Sequence, residues 1–228
     1  MRLLAALGVL LLVGCAERPA RVDAANYDAF YLWAGVKPQP ALTQAKTLYI
    51  LAGEVRRDGS WMPLRAAPNL SQPEVWLVVR AASLAWPAET RAAIDRELAL
   101  WGKSSRLAGL QVDFDASTAG LADYAAFLRD LRQRLPKQYQ LSVTGLMDWS
   151  ANGDPAALAQ LKGVVEEVVV QSYQARTTIP GYARYLAKLA QVPVPHKVAL
   201  VQGGEWEEPD ALRRDPLFRG YVVFLLNP

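Results

Sequence analysis

Short apolar runs recur along the chain from residue 27 onwards, and stretches rich in Gly, Pro and polar residues separate them. Their length and their content of β-branched and aromatic residues are typical of strands. Most of the runs are continuously apolar rather than alternating, which indicates parallel strands that are covered on both faces. The predicted strands are 27–34, 46–55, 74–81, 107–115, 140–149, 166–174, 197–204 and 220–227.

Helical periodicity fills most of the gaps between the strands after the third one. The clearest helix has Pro87, a residue suited to a first turn, near its start and Gly102 near its end. The next helix stops at Pro136, because proline cannot continue a helix. The predicted helices are 86–103, 121–135, 154–163, 179–190 and 209–214.

Strands that alternate with helices define the α/β class. Eight strands within about 200 residues predict one compact (β/α)8 barrel of the TIM type. The connections in the first third are short, and 61–64 can form a hairpin arm, so we expect that part of the barrel to be irregular. A doubly wound sheet is the alternative fold, but no Gly-rich phosphate loop follows the first strand.

The N-terminus has the composition of an export signal. Arg2 precedes an apolar run, 3–13, that is too short to span a bilayer. The run ends in Leu-Val-Gly-Cys15, which resembles the lipobox of bacterial lipoproteins. In that class of signals the cysteine is acylated and becomes the new N-terminus, and a residue other than Asp after it, here Ala16, indicates the outer membrane.

This resemblance divides the chain into three parts. We expect a signal peptide over 1–14, a lipidated Cys15 with a polar tether over 15–26, and a single barrel domain over 27–228. The lipid would hold the domain at the outer membrane, facing the periplasm. The alternative is an ordinary signal peptide followed by a buried cysteine.

Composition argues against several kinds of site. The 25 basic and 22 acidic side chains leave a net charge of +3 and are dispersed, so we predict no nucleic-acid partner. Cys15 is the only cysteine and His196 the only histidine, which argues against a disulfide, a Ser-His-Asp triad and a multi-histidine metal site. We expect His196 to be a surface residue at the entry of a strand. We predict a monomer that needs no metal and no cofactor.

The fourth predicted strand carries an unusual polar face. In LAGLQVDFDAS, Gln111, Asp113 and Asp115 are two residues apart, so they point to one side of the strand while apolar residues point to the other. Burying three polar groups is costly unless they have partners or a function. The two acids, about 6.6 Å apart along the strand, can form an acid and base pair, tune each other's charge, hold a divalent cation or cap backbone amides.

Polar and aromatic residues also end the other predicted strands. In a barrel these ends meet at one rim, where active sites lie. Carboxylates and amides suit the hydroxyl groups of a sugar, and flat aromatic rings suit its ring faces. Glu54 or Glu205 can supply a further carboxyl group across the mouth of the barrel. The predicted substrate-binding residues are Trp33, Trp149, Gln171, Tyr173, Gln202, Glu205 and Trp206.

The acid-bearing stretch resembles sequences of two known protein families. GLQVDFDA, with the helix and the LSVT strand after it, resembles the bacterial family called domain of unknown function 3142. More distantly, the strand is similar to the DxxDxDxE strand of the chitinase-like glycoside hydrolases of family 18, which implies a related barrel. Asp113 and Asp115 match the second and third acids of that motif. Leu110 replaces the first acid, and Ser117 replaces the terminal Glu that donates the proton in that family.

These observations predict an envelope lipoprotein with a barrel that binds a glycan and hydrolyses it if another acid replaces the missing Glu. Asp115 is the first candidate for the acid or base, and Asp113 is expected to orient it or tune its charge. A second hypothesis is a barrel that binds or assembles without catalysis, because Ser117 cannot donate the proton. A metal-dependent hydrolase that uses the same acids is a third, and the single histidine counts against zinc.

Overall fold

Eight parallel strands form a closed barrel in the computed structural model, which describes residues 19–227. Each strand pairs with the next one along the chain, and the first also pairs with the last, so the sheet has no open edge. The predicted (β/α)8 barrel is therefore confirmed. The barrel strands are β1 (Ala29–Leu32), β2 (Thr47–Val55), β3 (Leu70–Ala81), β4 (Ser105–Asp113), β5 (Gln140–Leu146), β6 (Glu167–Gln171), β7 (His196–Val201) and β8 (Phe218–Phe224).

Helices occupy every crossover after β3, and the earlier connections are irregular. Between β1 and β2 the chain forms only a 3-10 turn, and Trp61–Pro63 pairs antiparallel with the end of β2 as a hairpin arm. The predicted irregularity of the first third is confirmed. The α-helices are α1 (Ala88–Ser104), α2 (Leu121–Arg134), α3 (Asp148–Asn152), α4 (Pro155–Ala159), α5 (Tyr182–Leu186) and α6 (Asp210–Arg213). The 3-10 turns are Ala24–Asn26, Pro40–Gln44, Thr118–Gly120 and Leu189–Gln191, and the short strands outside the barrel are Ala20–Arg21, Tyr173–Gln174, Thr177–Thr178 and Glu205–Trp206.

The barrel has two packing layers because alternate residues of each strand face opposite sides. On β2, Tyr49 and Leu51 pack inside the barrel, and Leu48 and Ile50 pack outside. Apolar residues of the helices, such as Leu98, cover the outer layer. Each large side chain that leaves water in this way contributes about 1.5–3 kcal/mol.

The segment predicted to be a tether is partly packed on the barrel. Ala20–Arg21 pairs antiparallel with Glu205–Trp206, and Val22 and Ala24 are buried. The domain therefore begins by residue 20 rather than at 27, because two small apolar side chains continue its core. The predicted signal peptide over 1–14 and the lipidated Cys15 lie outside the described residues. In the part that the structure describes, no helix is both long and apolar enough to cross a bilayer.

His196 begins β7 but is fully buried, so the predicted surface position is wrong. Its Nδ1 atom lies 2.9 Å from the carbonyl oxygen of Val194, and its Nε2 atom lies 3.1 Å from an Asp215 carboxylate oxygen. These contacts tie the start of β7 to the segment before β8. The histidine therefore has a structural role far from the open end of the barrel.

A buried ion pair fills the N-terminal end of the barrel interior. The Lys197 ammonium lies 3.0 Å from the Glu167 carboxylate, to which the Tyr49 hydroxyl donates a hydrogen bond of 2.6 Å. The Ser142 hydroxyl donates to the same carboxylate, and the Gln111 amide donates to Ser142. This chain of hydrogen bonds closes one end of the barrel and leaves the C-terminal end as the open one.

Candidate active site

Three charged side chains form one row at the C-terminal ends of β2, β3 and β4. The strand register pairs Glu54 with Arg80, and Arg80 with Asp113. The Arg80 guanidinium lies 3.9 Å from the Glu54 carboxylate. The row therefore alternates acid, base and acid across three neighbouring strands.

A bulge in β2 turns Glu54 into this row. The pairing of β2 with β3 shifts between Leu51 and Gly53, which gives β2 one extra residue. With regular alternation after Leu51, Gly53 would face the barrel interior and the Glu54 side chain would point outward. The extra residue reverses these two directions, so Glu54 faces the interior. Glycine is needed here, because a Cβ atom at position 53 would lie only 2.3 Å from Cη2 of Trp61. The bulge thus supplies the row with its second carboxyl group.

Asp113 is buried beneath the mouth of the barrel, with only 7% of its surface exposed. The Thr144 hydroxyl donates a hydrogen bond of 2.8 Å to its carboxyl group. Burial raises the pKa of Asp113 to about 6; the Thr144 hydrogen bond lowers it, Asp115 raises it, and Arg80 and Glu54 act in opposite directions. A carboxyl group with this pKa keeps a proton in mildly acidic solution, as a general acid must.

An open cleft of about 1320 Å³ lies above Asp113, and we call it the rim cleft. Trp33, Phe224 and Tyr173 form an aromatic wall along its β6, β8 and β1 side. The Phe224 ring is 5.3 Å from the Trp33 ring and 5.4 Å from the Tyr173 ring, measured between centroids. The cleft therefore combines a continuous aromatic surface with charged groups on β2, β3 and β4.

Five of the predicted site residues line the rim cleft. Asp113 and Asp115 lie at the end of β4 and just after it, and Asp115 is exposed to solvent. Trp33, Gln171 and Tyr173 line the cleft from the other strands. The structure therefore brings these five residues together, as the barrel topology predicts.

The predicted position of Trp149 in the cleft is wrong, because its side chain is buried in the packing layer outside the barrel. The strand β5 ends at Leu146, and α3 then carries Trp149 into the outer packing layer, where it is 1% exposed. Its indole nitrogen donates a hydrogen bond of 2.8 Å to the carbonyl oxygen of Ala116. Trp149 therefore supports the loop after β4 and cannot stack on a ligand.

Glu205 and Trp206 also lie away from the predicted position at the mouth of the barrel. They form the short strand that pairs with Ala20–Arg21. The Trp206 ring is 7% exposed and stacks on Tyr182, with 4.5 Å between the ring centroids. Neither residue lines the rim cleft. Of the two acids predicted for the far side of the mouth, Glu54 therefore lines the cleft and Glu205 does not.

Gln202 also lies outside the rim cleft, because its amide is used within the protein. Its nitrogen donates to the Gln39 side chain, and its oxygen accepts from the backbone of Leu226. These two bonds of 2.9 Å join the loop after β1 to the segment after β8. Both polar atoms of this amide are therefore engaged within the protein.

The sequence did not single out Thr144, Phe224, Arg56 or Arg57 for the site. All but Thr144 line the rim cleft, and Thr144 hydrogen-bonds to Asp113. Thr144 and Phe224 occupy inward positions near strand ends, which only the register between strands identifies. The two arginines follow β2 in a turn, where a charged pair is ordinary on sequence grounds.

Within residues 19–227, no group of three or more His, Cys, Asp and Glu is arranged to hold a metal ion. Glu54, Asp113 and Asp115 do share one cleft, but the Arg80 cation stands between two of them in the row. A positive charge at that position opposes a dication.

The closed barrel of eight parallel strands has counterparts among solved structures. One similar solved structure is the spore cortex-lytic enzyme SleL of Bacillus cereus, with a TM-score of 0.53 and 20% identity over 75% of this chain. The alignment covers 49% of SleL, so the chain spans about half of its length. Another is the chitinase domain of the spore coat protein CotE from Clostridium difficile, with a TM-score of 0.50 and 13% identity, over 92% of this chain and 74% of that one.

At these identities the likeness shows the fold alone. Residues 72–191 match the family described as "Domain of unknown function (DUF3142)", and the chain belongs to this family. A comparison with curated proteins found no match. Both the family and the distant likeness to chitinase-like barrels are thus confirmed.

Replacing Asp113 with Asn is expected to remove a pH-dependent loss of stability. Because the folded state binds the Asp113 proton more tightly, the contribution of Asp113 to the free energy of unfolding should fall as the pH rises from about 4 to about 6. A rise of about two pKa units at 1.36 kcal/mol each puts this loss at up to about 3 kcal/mol. The Asn variant should therefore gain stability over the wild type through this window, as urea unfolding at pH 4, 5, 6 and 7 would measure.

Asp123→Asn is the matched control, because Asp123 is an exposed acid on α2 outside the rim cleft, whereas Asp115 itself raises the pKa of Asp113. The stability of this control relative to the wild type should change far less over the same pH range. A constant difference between Asp113→Asn and the wild type from pH 4 to 7 would contradict the raised pKa.

Proposed function

We propose that the rim cleft binds a glycan and hydrolyses it, with Asp113 as the general acid. The observation that carries this proposal is a buried carboxyl group at the floor of an open cleft, beside Glu54 and Asp115. Burial raises the pKa of Asp113 to about 6, which supports its role as the acid. Hydrolysis of a glycosidic bond usually needs one protonated and one ionised carboxyl group. Asp113 supplies the first, and Asp115 or Glu54 supplies the second. This exchanges the roles that the sequence suggested for Asp113 and Asp115.

The aromatic wall supports a sugar as the ligand. Trp33, Phe224 and Tyr173 offer flat apolar faces, and Gln171 adds an amide that can hydrogen-bond to hydroxyl groups. The names of the two similar structures, a chitinase domain and a cortex-lytic enzyme, point to the same ligand class. Shape, side-chain chemistry and likeness therefore all support a glycan as the ligand.

A second candidate function is glycan binding without cleavage. Ser117, which stands where the chitinase-like motif has its proton-donating Glu, is exposed on the loop after β4. If no other acid reaches the glycosidic bond, the barrel binds a glycan but does not cleave it. This candidate uses the same cleft and differs only in turnover.

One experiment separates these two functions. The full chain in detergent is mixed with a panel of bacterial oligosaccharides, and both binding and the release of new reducing ends are measured. Binding with release supports the hydrolase, and binding without release supports the second candidate. If no oligosaccharide binds, both proposals are wrong.

We extend the proposal to an envelope lipoprotein, held by a lipid on Cys15 at the outer membrane and facing the periplasm. The lipobox-like sequence supports this location. Ala20 already pairs with the barrel, so a span of five residues, at most about 18 Å, would join the lipid to the domain. Labelled palmitate should enter the full chain and not the Cys15→Ser variant. Equal labelling of both chains would contradict the anchor.

A further inference from the structure

We infer that the glycan bound in the rim cleft is anionic, and that Arg56, Arg57 and Arg80 bind its acidic group. The inference rests on the proposed function, because it names the class of glycan for the same cleft. The acidic group is an oxyanion carried by a sugar, either a carboxylate or a phosphate. Guanidinium groups bind both through paired hydrogen bonds.

Two arginines at the end of β2 carry the first part of the argument. Arg56 and Arg57 are exposed, and both line the rim cleft. Among residues 19–227 neither forms an ion pair within 4 Å, and the Arg56 guanidinium donates one hydrogen bond, to the sulfur of Met62. Most of their hydrogen-bond donors therefore remain available to a ligand.

Arg80 adds a third guanidinium to the same side of the cleft. Its distance of 3.9 Å from Glu54 is too long for a direct hydrogen bond, and its side chain is 55% exposed. An oxyanion that enters beside Glu54 can therefore reach Arg80 without breaking a strong pair. The three arginines line the β2 and β3 side, away from Tyr173 after β6.

The charge of the cleft depends on the proton of Asp113. When Asp113 is protonated, as a general acid is before it reacts, the cleft lining holds three arginines and two carboxylates, Glu54 and Asp115, an excess of one positive charge. Asp58, whose pKa is lowered by hydrogen bonds from Ser60 and also by Arg56, lies outside this lining. A neutral glycan would leave that excess positive charge without a partner in the bound state. An anionic glycan neutralises it, and its own charge favours the protonated form of Asp113.

The aromatic wall and the arginines can act on one ligand together. A sugar ring that packs on Trp33 and Phe224 can extend its substituents across the cleft towards β2 and β3. A neutral chitin-like sugar uses only the first of these surfaces. A sugar that bears a carboxylate or phosphate uses both, which is why the acidic class fits the cleft better.

The test compares each acidic oligosaccharide with the same oligosaccharide after its charge is removed. Dissociation constants are measured for the full chain in detergent, with uronate-containing oligosaccharides and their carboxyl-reduced forms in one arm. The other arm uses phosphorylated oligosaccharides and their dephosphorylated forms. In at least one arm the charged form should bind about tenfold more tightly or better, and added salt should narrow the difference.

The Arg56→Gln, Arg57→Gln double variant should weaken binding of the preferred charged form about tenfold and leave binding of its neutral form unchanged. Arg96→Gln is the matched control, because Arg96 is an exposed arginine on α1 outside the cleft. Equal affinities for charged and neutral forms, or equal losses for both in the double variant, would overturn the inference and leave the glycan cleft intact. Failure of every oligosaccharide to bind would overturn the proposed function as well.

Discussion

Asp113→Asn should slow glycan hydrolysis by about 10²–10⁴-fold, which is the usual contribution of a positioned general acid. The Asn side chain has nearly the same shape and can still accept the Thr144 hydrogen bond of 2.8 Å. Folding and glycan affinity should therefore persist while turnover is lost. Initial rates of reducing-end release at pH 5–6 give the effect, and a dissociation constant within a few-fold of the wild type shows that the site is intact.

The pH dependence of the hydrolysis rate provides a control for this prediction. Wild-type activity should fall as the pH rises through about 6, because Asp113 then loses the proton it donates. Thr144→Val removes a hydrogen bond that lowers the pKa of Asp113, so the fall should move to higher pH. If the Asp113→Asn variant keeps a rate within a few-fold of the wild type, Asp113 is not the acid.

Lys197→Met should lower the free energy of unfolding by about 3–5 kcal/mol, because it leaves a buried carboxylate without its cation. The side chains of Lys197 and Glu167 are 19% and 11% exposed and lie 3.0 Å apart. Tyr49 and Ser142 also donate hydrogen bonds to that carboxylate, so its position is fixed and it cannot turn to solvent. Urea unfolding at neutral pH measures the loss.

Lys46→Met is the matched control for this ion pair. Lys46 and Asp28 are 2.8 Å apart, but their side chains are 80% and 51% exposed. Loss of an exposed pair costs at most about 1 kcal/mol. Adding Glu167→Gln to Lys197→Met should restore part of the lost stability, because no charge is then left unpaired. Equal losses for the two lysine variants would show that the pair in the barrel does not behave as a buried one.

Much of the barrel follows from local sequence. On β4 the alternation of residues predicts that Gln111 and Asp113 face away from Leu110 and Val112, and the structure agrees. Continuous apolar runs predict parallel strands because both faces of each strand are covered. The carboxyl ends of parallel strands in a barrel lie at one rim. Residues at or just after these ends are therefore expected to be neighbours, and in the structure the rim cleft is lined by Trp33, Asp115, Gln171 and Tyr173. Periodicity carries this information without any knowledge of tertiary contacts.

The errors arise where a strand ends or changes register. Trp149 belongs to a polar strand end in the sequence, but β5 stops at Leu146 and the chain turns outward before it. Glu54 shows the opposite case, since a bulge after Leu51 brings it inside although simple alternation points it outward. A single inserted residue reverses every side chain after it. Such positions depend on the partner strand and are invisible in the sequence of one strand.

Long-range pairing explains the remaining corrections. Trp206 is buried because Tyr182 stacks on it and Ala20–Arg21 pairs with its strand, and both partners are distant in sequence. His196 is buried because Asp215 and Val194 offer partners to its two ring nitrogens. Polar or aromatic residues next to a strand end are ambiguous until such partners are known. Long-range partners therefore decide which of the predicted residues line the rim cleft.

The most direct test of the glycan cleft is a crystal structure of the Asp113→Asn variant with an oligosaccharide that the wild type binds. Slow turnover in this variant should keep the ligand whole. We predict a sugar ring on the aromatic wall of Trp33, Phe224 and Tyr173, with a glycosidic oxygen within hydrogen-bond distance of the side chain at position 113. An oligosaccharide bound elsewhere, for instance against Trp206 and Tyr182, would contradict the assignment of this cleft.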